Sequence, residues 1–177
     1  MKKILGKDEQ VLRKIAQDVQ VKDIGGVKLN KILKEMTSAL DSQHDGVAIA
    51  APQIGYSLRI FIVSGKIFEK DFLKEDKKET NTKKSVRPKD VVFINPKIKK
   101  LSKEKKWVPE GCLSVRWLYG KTYRSTKATV EAYDENGKKF IRGGSGLLAQ
   151  IFQHETDHLN GILFIDHAKD VKEELPQ

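Results

Sequence analysis

In the stretch QHETDHLNG, His154, Glu155 and His158 stand at the spacing H-E-x-x-H. On an α-helix, residues four apart share a face, so both imidazoles can reach one metal ion while Glu155 projects beside them toward a water on that metal. Unsatisfied imidazoles are costly in a protein interior. Two of them at this spacing, with glutamate next to the first, therefore favour a metal over ordinary core histidines. Two ligands do not complete a catalytic centre, which takes three from the protein and leaves a position open. The other histidines, His44 in SQHDG and His167 in FIDHAKD, read as surface residues. Cys112, in WVPEGCLSVRW, is the better third ligand. A lone cysteine is usually an inert buried thiol, but beside an unfinished two-histidine site its thiolate would offset the charge of a divalent cation.

These groups need elements to position them. In SGLLAQIFQHETDHLNGILFID, Ser145 is suited to cap a helix and Asn160-Gly161 to end it. Leu148, Ile151, Phe152 and Leu159 would bury that helix, which is apolar nearly all round and so is expected to run through the middle of the protein. KLNKILKEMTSAL carries Leu29, Ile32, Leu33, Met36 and Leu40 on one stripe, the pattern of a helix that packs and does no chemistry. The alternating stretch 58–63, VVFIN (91–95), Trp107-Val108 and a segment beginning near Leu113 read as strands, the last two flanking Cys112. TKATVEAYDENGKKFI alternates on either side of Asn136-Gly137, which predicts a hairpin with a type I′ turn. Residues 65–90 are polar and mixed in charge, and read as an exposed insertion carrying a short helix or hairpin, or as disorder.

A chain of 177 residues is expected to form one domain with a proper core. No apolar run approaches the roughly 18 residues of a membrane span. MKKILGKDEQVLRK has no apolar region of a signal peptide. With a single cysteine there is no internal disulfide, which suits the reducing cytoplasm. The net charge is +10, densest in KIKKLSKEKK (97–106). That run would suit RNA or another polyanion. It reads better as a solvated β-edge, because neither aromatic residues nor arginines interleave it; no specific nucleic acid is expected, and no membrane.

Three stretches, GVAIAAPQIG (46–55), EGCLS (110–114) and QHETDHLNG (153–161), closely resemble the three signature motifs of the peptide deformylase family, in the same order. H-E-x-x-H alone is shared with many metalloproteases, but the three together are specific. The resemblance continues between them and spans about residues 9–168. It implies an α+β fold, with antiparallel sheets around a central helix that carries the histidines. It also implies an enzyme that removes the formyl group from the N-terminal formylmethionine of nascent polypeptides and releases formate. The implied cofactor is one divalent metal ion held by Cys112, His154 and His158. Iron (Fe²⁺) is implied in the cell, with Zn²⁺, Ni²⁺ or Co²⁺ in purified protein. Glu155 matches the family's general base. The Gln53 side chain and the backbone N–H of Leu113 match its oxyanion donors. Gly46 and Ala48 fall on the backbone edge where a substrate adds as a strand. Ile49 and Ile151 are expected in the methionine pocket, and Glu110 is expected to orient the Cys112 loop. Implied partners are N-formylmethionyl nascent peptides, with a transient ribosome contact through the basic surface.

Two positions depart from the family pattern. Ala48-Ile49 stand where Gly-Leu is usual, adding a methyl beside the substrate path. Arg116-Trp117 stand where Pro-Gly is usual, which puts the local turn in question and a cation or aromatic at the mouth of the site. Two other functions compete. A zincin-type endopeptidase would take a downstream glutamate or histidine as its third ligand. An RNA-binding protein with a structural metal would usually close its site with four protein ligands.

Overall fold

The computed structural model describes residues 2–69 and 88–175. Helix α1 (Val27–Asp41) buries Leu29, Ile32, Leu33, Met36 and Leu40, the stripe that its spacing predicts, and Ala39 besides. After it come β1 (Ala48–Ala50), β2 (Ile60–Val63) and β3 (Val91–Leu101). Strands β4 (Lys105–Gly111), β5 (Leu118–Ser125), β6 (Lys127–Tyr133) and β7 (Lys139–Ser145) follow, then helix α2 (Leu147–Leu159) and β8 (Lys169–Glu173). All of these strands pair antiparallel, in a five-stranded sheet of order β1-β2-β3-β6-β7 and a three-stranded sheet of order β4-β5-β8. The fold is α+β. Among the described residues, no helix is long and apolar enough to cross a membrane.

Helix α2 packs against β1, β3, β6 and β7. Phe152 is fully buried there with Phe61 and Phe93, and its ring meets that of Phe93 edge-on at 5.3 Å. Gln153 joins the helix to the smaller sheet: its side chain accepts from Ser125 N (2.9 Å) and donates to Ser125 O (3.0 Å), as a neighbouring strand would. Strand β7 comes close to α2 because Gly144 has no side chain; a Cβ there would lie 2.7 Å from Leu148 Cγ.

Several expectations change. Ser145 does not cap α2. It remains in the β7 ladder opposite Lys127, and Gly146 makes the turn at φ 54° and ψ −127°, a conformation suited to glycine. The helix does end at Asn160, with Gly161 left-handed at φ 75°. The β6–β7 hairpin forms, but not with a type I′ turn, since Gly137 has positive φ and Asn136 does not. Instead the Asp134 carboxylate accepts from the backbone N–H groups of Asn136 and Lys138, at 2.9 and 2.8 Å. The strand expected near Leu113 begins at Leu118, because residues after Cys112 turn first: Val115 N donates to Cys112 O and Leu118 N to Val115 O. In the expected 65–90 insertion, Gly65–Phe68 form a 3-10 turn. Residues 70–87 lie outside the described residues.

Candidate metal centre

Strand β4 delivers Glu110 and, just beyond its end, Cys112; the C-terminal half of α2 delivers His154, Glu155 and His158. One ligand atom from each of Cys112, His154 and His158 lies within 4.8 Å of the other two. Cys112 Sγ is 3.2 Å from His158 Nε2. The histidine rings are one turn apart, with centroids 4.8 Å from each other and planes inclined at 80°. His44 is exposed, and His167 lies 3.4 Å from Asp157; neither joins this cluster.

Glu110, buried on β4, binds His154 rather than the Cys112 loop. Its Oε1 contacts His154 Nδ1 at 2.7 Å and accepts from Arg124 Nη2 at 2.7 Å. Its Oε2 accepts from Thr122 Oγ1 (2.7 Å), Arg124 Nε (3.1 Å) and Gln150 Nε2 (3.2 Å). Burial opposes ionisation of Glu110, but the hydrogen bonds from His154 and Arg124 hold its carboxyl well below the usual range. Arg124 also pairs with Asp157 at 2.6 Å. A carboxylate such as Glu110 on the ring nitrogen that does not face the ion is a usual support of a metal-binding histidine.

The charges around the cluster agree with this arrangement. Burial opposes a thiolate at Cys112, yet the His158 charge and hydrogen bonds from both histidines lower its pKa well below the ordinary thiol. Burial likewise opposes an imidazolium at His154, while bonds to Cys112 and Glu110 raise its pKa well above the ordinary value. Glu155 is 3% exposed, and burial pushes its carboxyl up to about 7 against the opposing pull of His154 and His158. Glu155 Oε2 and His158 Nδ1 are buried, with no hydrogen-bond partner among the described residues. The cluster, with His158 and Glu155 buried and Cys112 and His154 partly so, is polar and incompletely satisfied by the protein alone, and its thiolate–imidazole donors suit a divalent ion.

Gln53 is buried in the turn after β1. Its Oε1 accepts from Ala50 N (2.8 Å), which aims Nε2 at Ser114 Oγ (3.2 Å) and Cys112 Sγ (3.6 Å). A cavity of about 340 Å³ is lined by His154, Glu155, Cys112, Leu113 and Gln53, together with Gly46, Ala48 and Ile151. Gly46 lets the chain approach Leu113, since a Cβ on it would stand 3.2 Å from Leu113 Cδ1. Ala48 lies on β1, the last strand of its sheet, and pairs with Val63 on one side. Ile49 is a correction. Successive residues of a strand face opposite ways, so Ala48 and Ala50 pack toward α2 while Ile49 is buried in the α1 core, away from the cavity lining.

Sequence reasoning missed Arg124, Thr122 and Ser114. The alternation of LYGKTYRS carried a signal: Thr122 and Arg124 occupy inward positions of β5, and a buried arginine requires a buried acid. Ser114 gave no signal beyond its place beside Cys112.

The family model for polypeptide deformylase matches residues 1–174. Peptide deformylase 2 of Clostridium acetobutylicum is 38% identical over 159 residues, covering 90% of this chain and 89% of that protein. The peptide deformylase of Cytophaga hutchinsonii is 31% identical over 172 residues, covering 97% and 84%. Among solved structures, a peptide deformylase from Legionella pneumophila superposes with a TM-score of 0.76 at 35% identity, covering 96% of this chain and 87% of that one. A class I type b peptide deformylase from Acinetobacter baumannii with Met-Ala-Ser bound gives 0.78 at 30% identity, covering 94% and 99%.

Proposed function

Because the chain belongs to the polypeptide deformylase family, a family of hydrolases acting on the formyl amide, we propose that it hydrolyses the formyl group from the N-terminal formylmethionine of nascent polypeptides in the cytoplasm, releasing formate. The observation that carries this reading is the cluster of Cys112, His154 and His158, of which Cys112 and His154 line one cavity with Glu155 and Gln53.

Cys112, His154 and His158 would hold one divalent ion, iron in the cell and zinc, nickel or cobalt in purified material. When bound, such an ion supplies Lewis acidity and brings the pKa of a water toward neutrality. Glu155 takes a proton from the attacking water and delivers it to the departing amine. Gln53 Nε2 and the Leu113 backbone N–H donate to the oxygen of the formyl group as it gains negative charge. Ser114 and Ala50 fix the Gln53 amide in its orientation. Ile151 lies one turn before His154 on α2 and lines the cavity, where it offers an apolar wall to the methionine side chain. The edge strand β1 offers backbone to an extended peptide.

A formyl carbon bears only hydrogen, whereas an acetyl carbon bears a methyl and an internal peptide a whole residue. Crowding by Gln53, Leu113 and Ala48 therefore selects the formyl group by steric exclusion, and burial of the methionine side chain adds roughly 1.5–3 kcal/mol. The test offers metal-loaded protein formyl-Met-Ala-Ser, acetyl-Met-Ala-Ser and an unfolded protein. Formate from the first and nothing from the others is expected. New internal peptide termini without formate would replace this reading with an endopeptidase.

A further inference from the structure

Arg116 and Trp117, the pair that departs from the family pattern, line the same cavity as the candidate metal ligands Cys112 and His154. The Arg116 guanidinium forks onto the Asp45 carboxylate, Nη1 to Oδ2 at 2.6 Å and Nη2 to Oδ1 at 3.2 Å, and Nη2 also donates to Gln43 Oε1 at 2.5 Å. The guanidinium carbon stands 5.6 Å from the centre of the Trp117 ring. Trp117 has φ 66°, in the left-handed region that a bulky side chain seldom adopts. Strain of this kind persists where the surroundings over-determine it.

The pair joins two separate walls. Arg116 belongs to the turn that follows Cys112. Asp45 immediately precedes Gly46 and the chain entering β1, and Asp45 also lines the cavity. The Arg116 hydrogen bond holds the Asp45 carboxyl below its ordinary range, against partial burial. With the Asp45 side chain 60% exposed, the pair contributes little to global stability. Its consequence is geometric.

We propose that Arg116 is a positioning residue and Trp117 a specificity-determining wall of this cleft: the Arg116–Asp45 clasp fixes the separation between the turn after Cys112 and the edge strand β1, and sets the indole where the side chain following formylmethionine passes. The proposal rests on the deformylase reading of the cavity. It makes peptides with a large apolar second residue better substrates than those with alanine there, because the indole gives such a side chain a surface to cover.

The test compares metal-loaded wild type, Arg116→Ala, Arg116→Lys and Trp117→Gly on formyl-Met-Ala-Ser and formyl-Met-Phe-Ser. Binding of Met-Ala-Ser and Met-Phe-Ser, measured by calorimetry, reads the cleft without turnover. Arg116→Ala is expected to raise KM and Kd about fivefold while kcat stays within about twofold and metal content is unchanged. Arg116→Lys recovers part of the loss, because an ammonium cannot make the fork. Trp117→Gly relieves the strained φ, so its melting temperature holds or rises, yet it loses the preference for phenylalanine over alanine. A purely structural tryptophan would not couple greater stability to lost selectivity. Arg116→Ala with wild-type KM and Kd, or Trp117→Gly with the wild-type preference, would overturn the proposal. A wild type that binds both tripeptides but releases no formate would remove the deformylase reading, and the binding series would still decide the clasp. A wild type that binds neither peptide and turns over neither would overturn both.

Discussion

Glu110 Oε1 lies 2.7 Å from His154 Nδ1. Because the carboxylate is held ionised, the imidazole is the donor, and its Nε2 is left as the ligand nitrogen. Glu110→Gln is therefore expected to lower metal affinity by about 10–100-fold, the usual effect of losing such a partner. Equilibrium titration against a chelator checks this. Unchanged affinity would mean that Glu110 serves Arg124, Thr122 and Gln150 rather than the metal site.

Glu155 touches the chemistry without being a ligand in this account. Glu155→Gln should keep one metal per chain and lower kcat by about 10²–10⁴-fold, the range for a positioned acid–base. Metal analysis and formate release on the same sample separate the two effects. Loss of metal together with activity would make Glu155 structural or a ligand.

The Arg116–Asp45 pair predicts a pH signature in stability. Asp45 has a lowered carboxyl pKa, with Arg116 as the main cause and Lys66 adding a smaller one. A depressed folded-state pKa contributes stability above the unfolded value of about 3.9 and loses it as pH falls through the lower folded value. Wild type should therefore melt above Asp45→Asn by a constant small margin between about pH 5 and 7, and the margin should close in more acidic buffer. A margin independent of pH down to about 3 would show that charge is not the source.

The centre of this molecule was more legible in sequence than its edges. H-E-x-x-H on an apolar helix is a local pattern, and α2 carries it as its spacing predicts; Cys112, which follows β4, is legible through its thiolate chemistry and the family resemblance of EGCLS. The partner of Glu110 was not legible, because Glu110 and His154 meet only once β4 lies beside α2, 44 residues apart in the chain. Ile49 was placed on the wrong side because three residues of β1 give no usable alternation; all three are buried. Strand β8 reads as exposed polar chain, KDVKE, and is specified by its ladder with β5 rather than by its own pattern. Arg116 and Trp117 could be seen as departures from the family pattern. Their clasp to Asp45, 71 residues away, required the fold.

The central claim is that Cys112 completes a one-metal centre whose occupancy governs deformylation. The most direct measurement loads wild type and Cys112→Ala with a divalent metal, removes excess with a chelator, and then counts metal per chain and formate released from formyl-Met-Ala-Ser. Wild type is expected to hold one ion per chain and to release formate in proportion to occupancy. Cys112→Ala is expected to lose both, because two imidazoles cannot retain the ion against the chelator. A Cys112→Ala protein that kept stoichiometric metal and wild-type formate release would contradict the account.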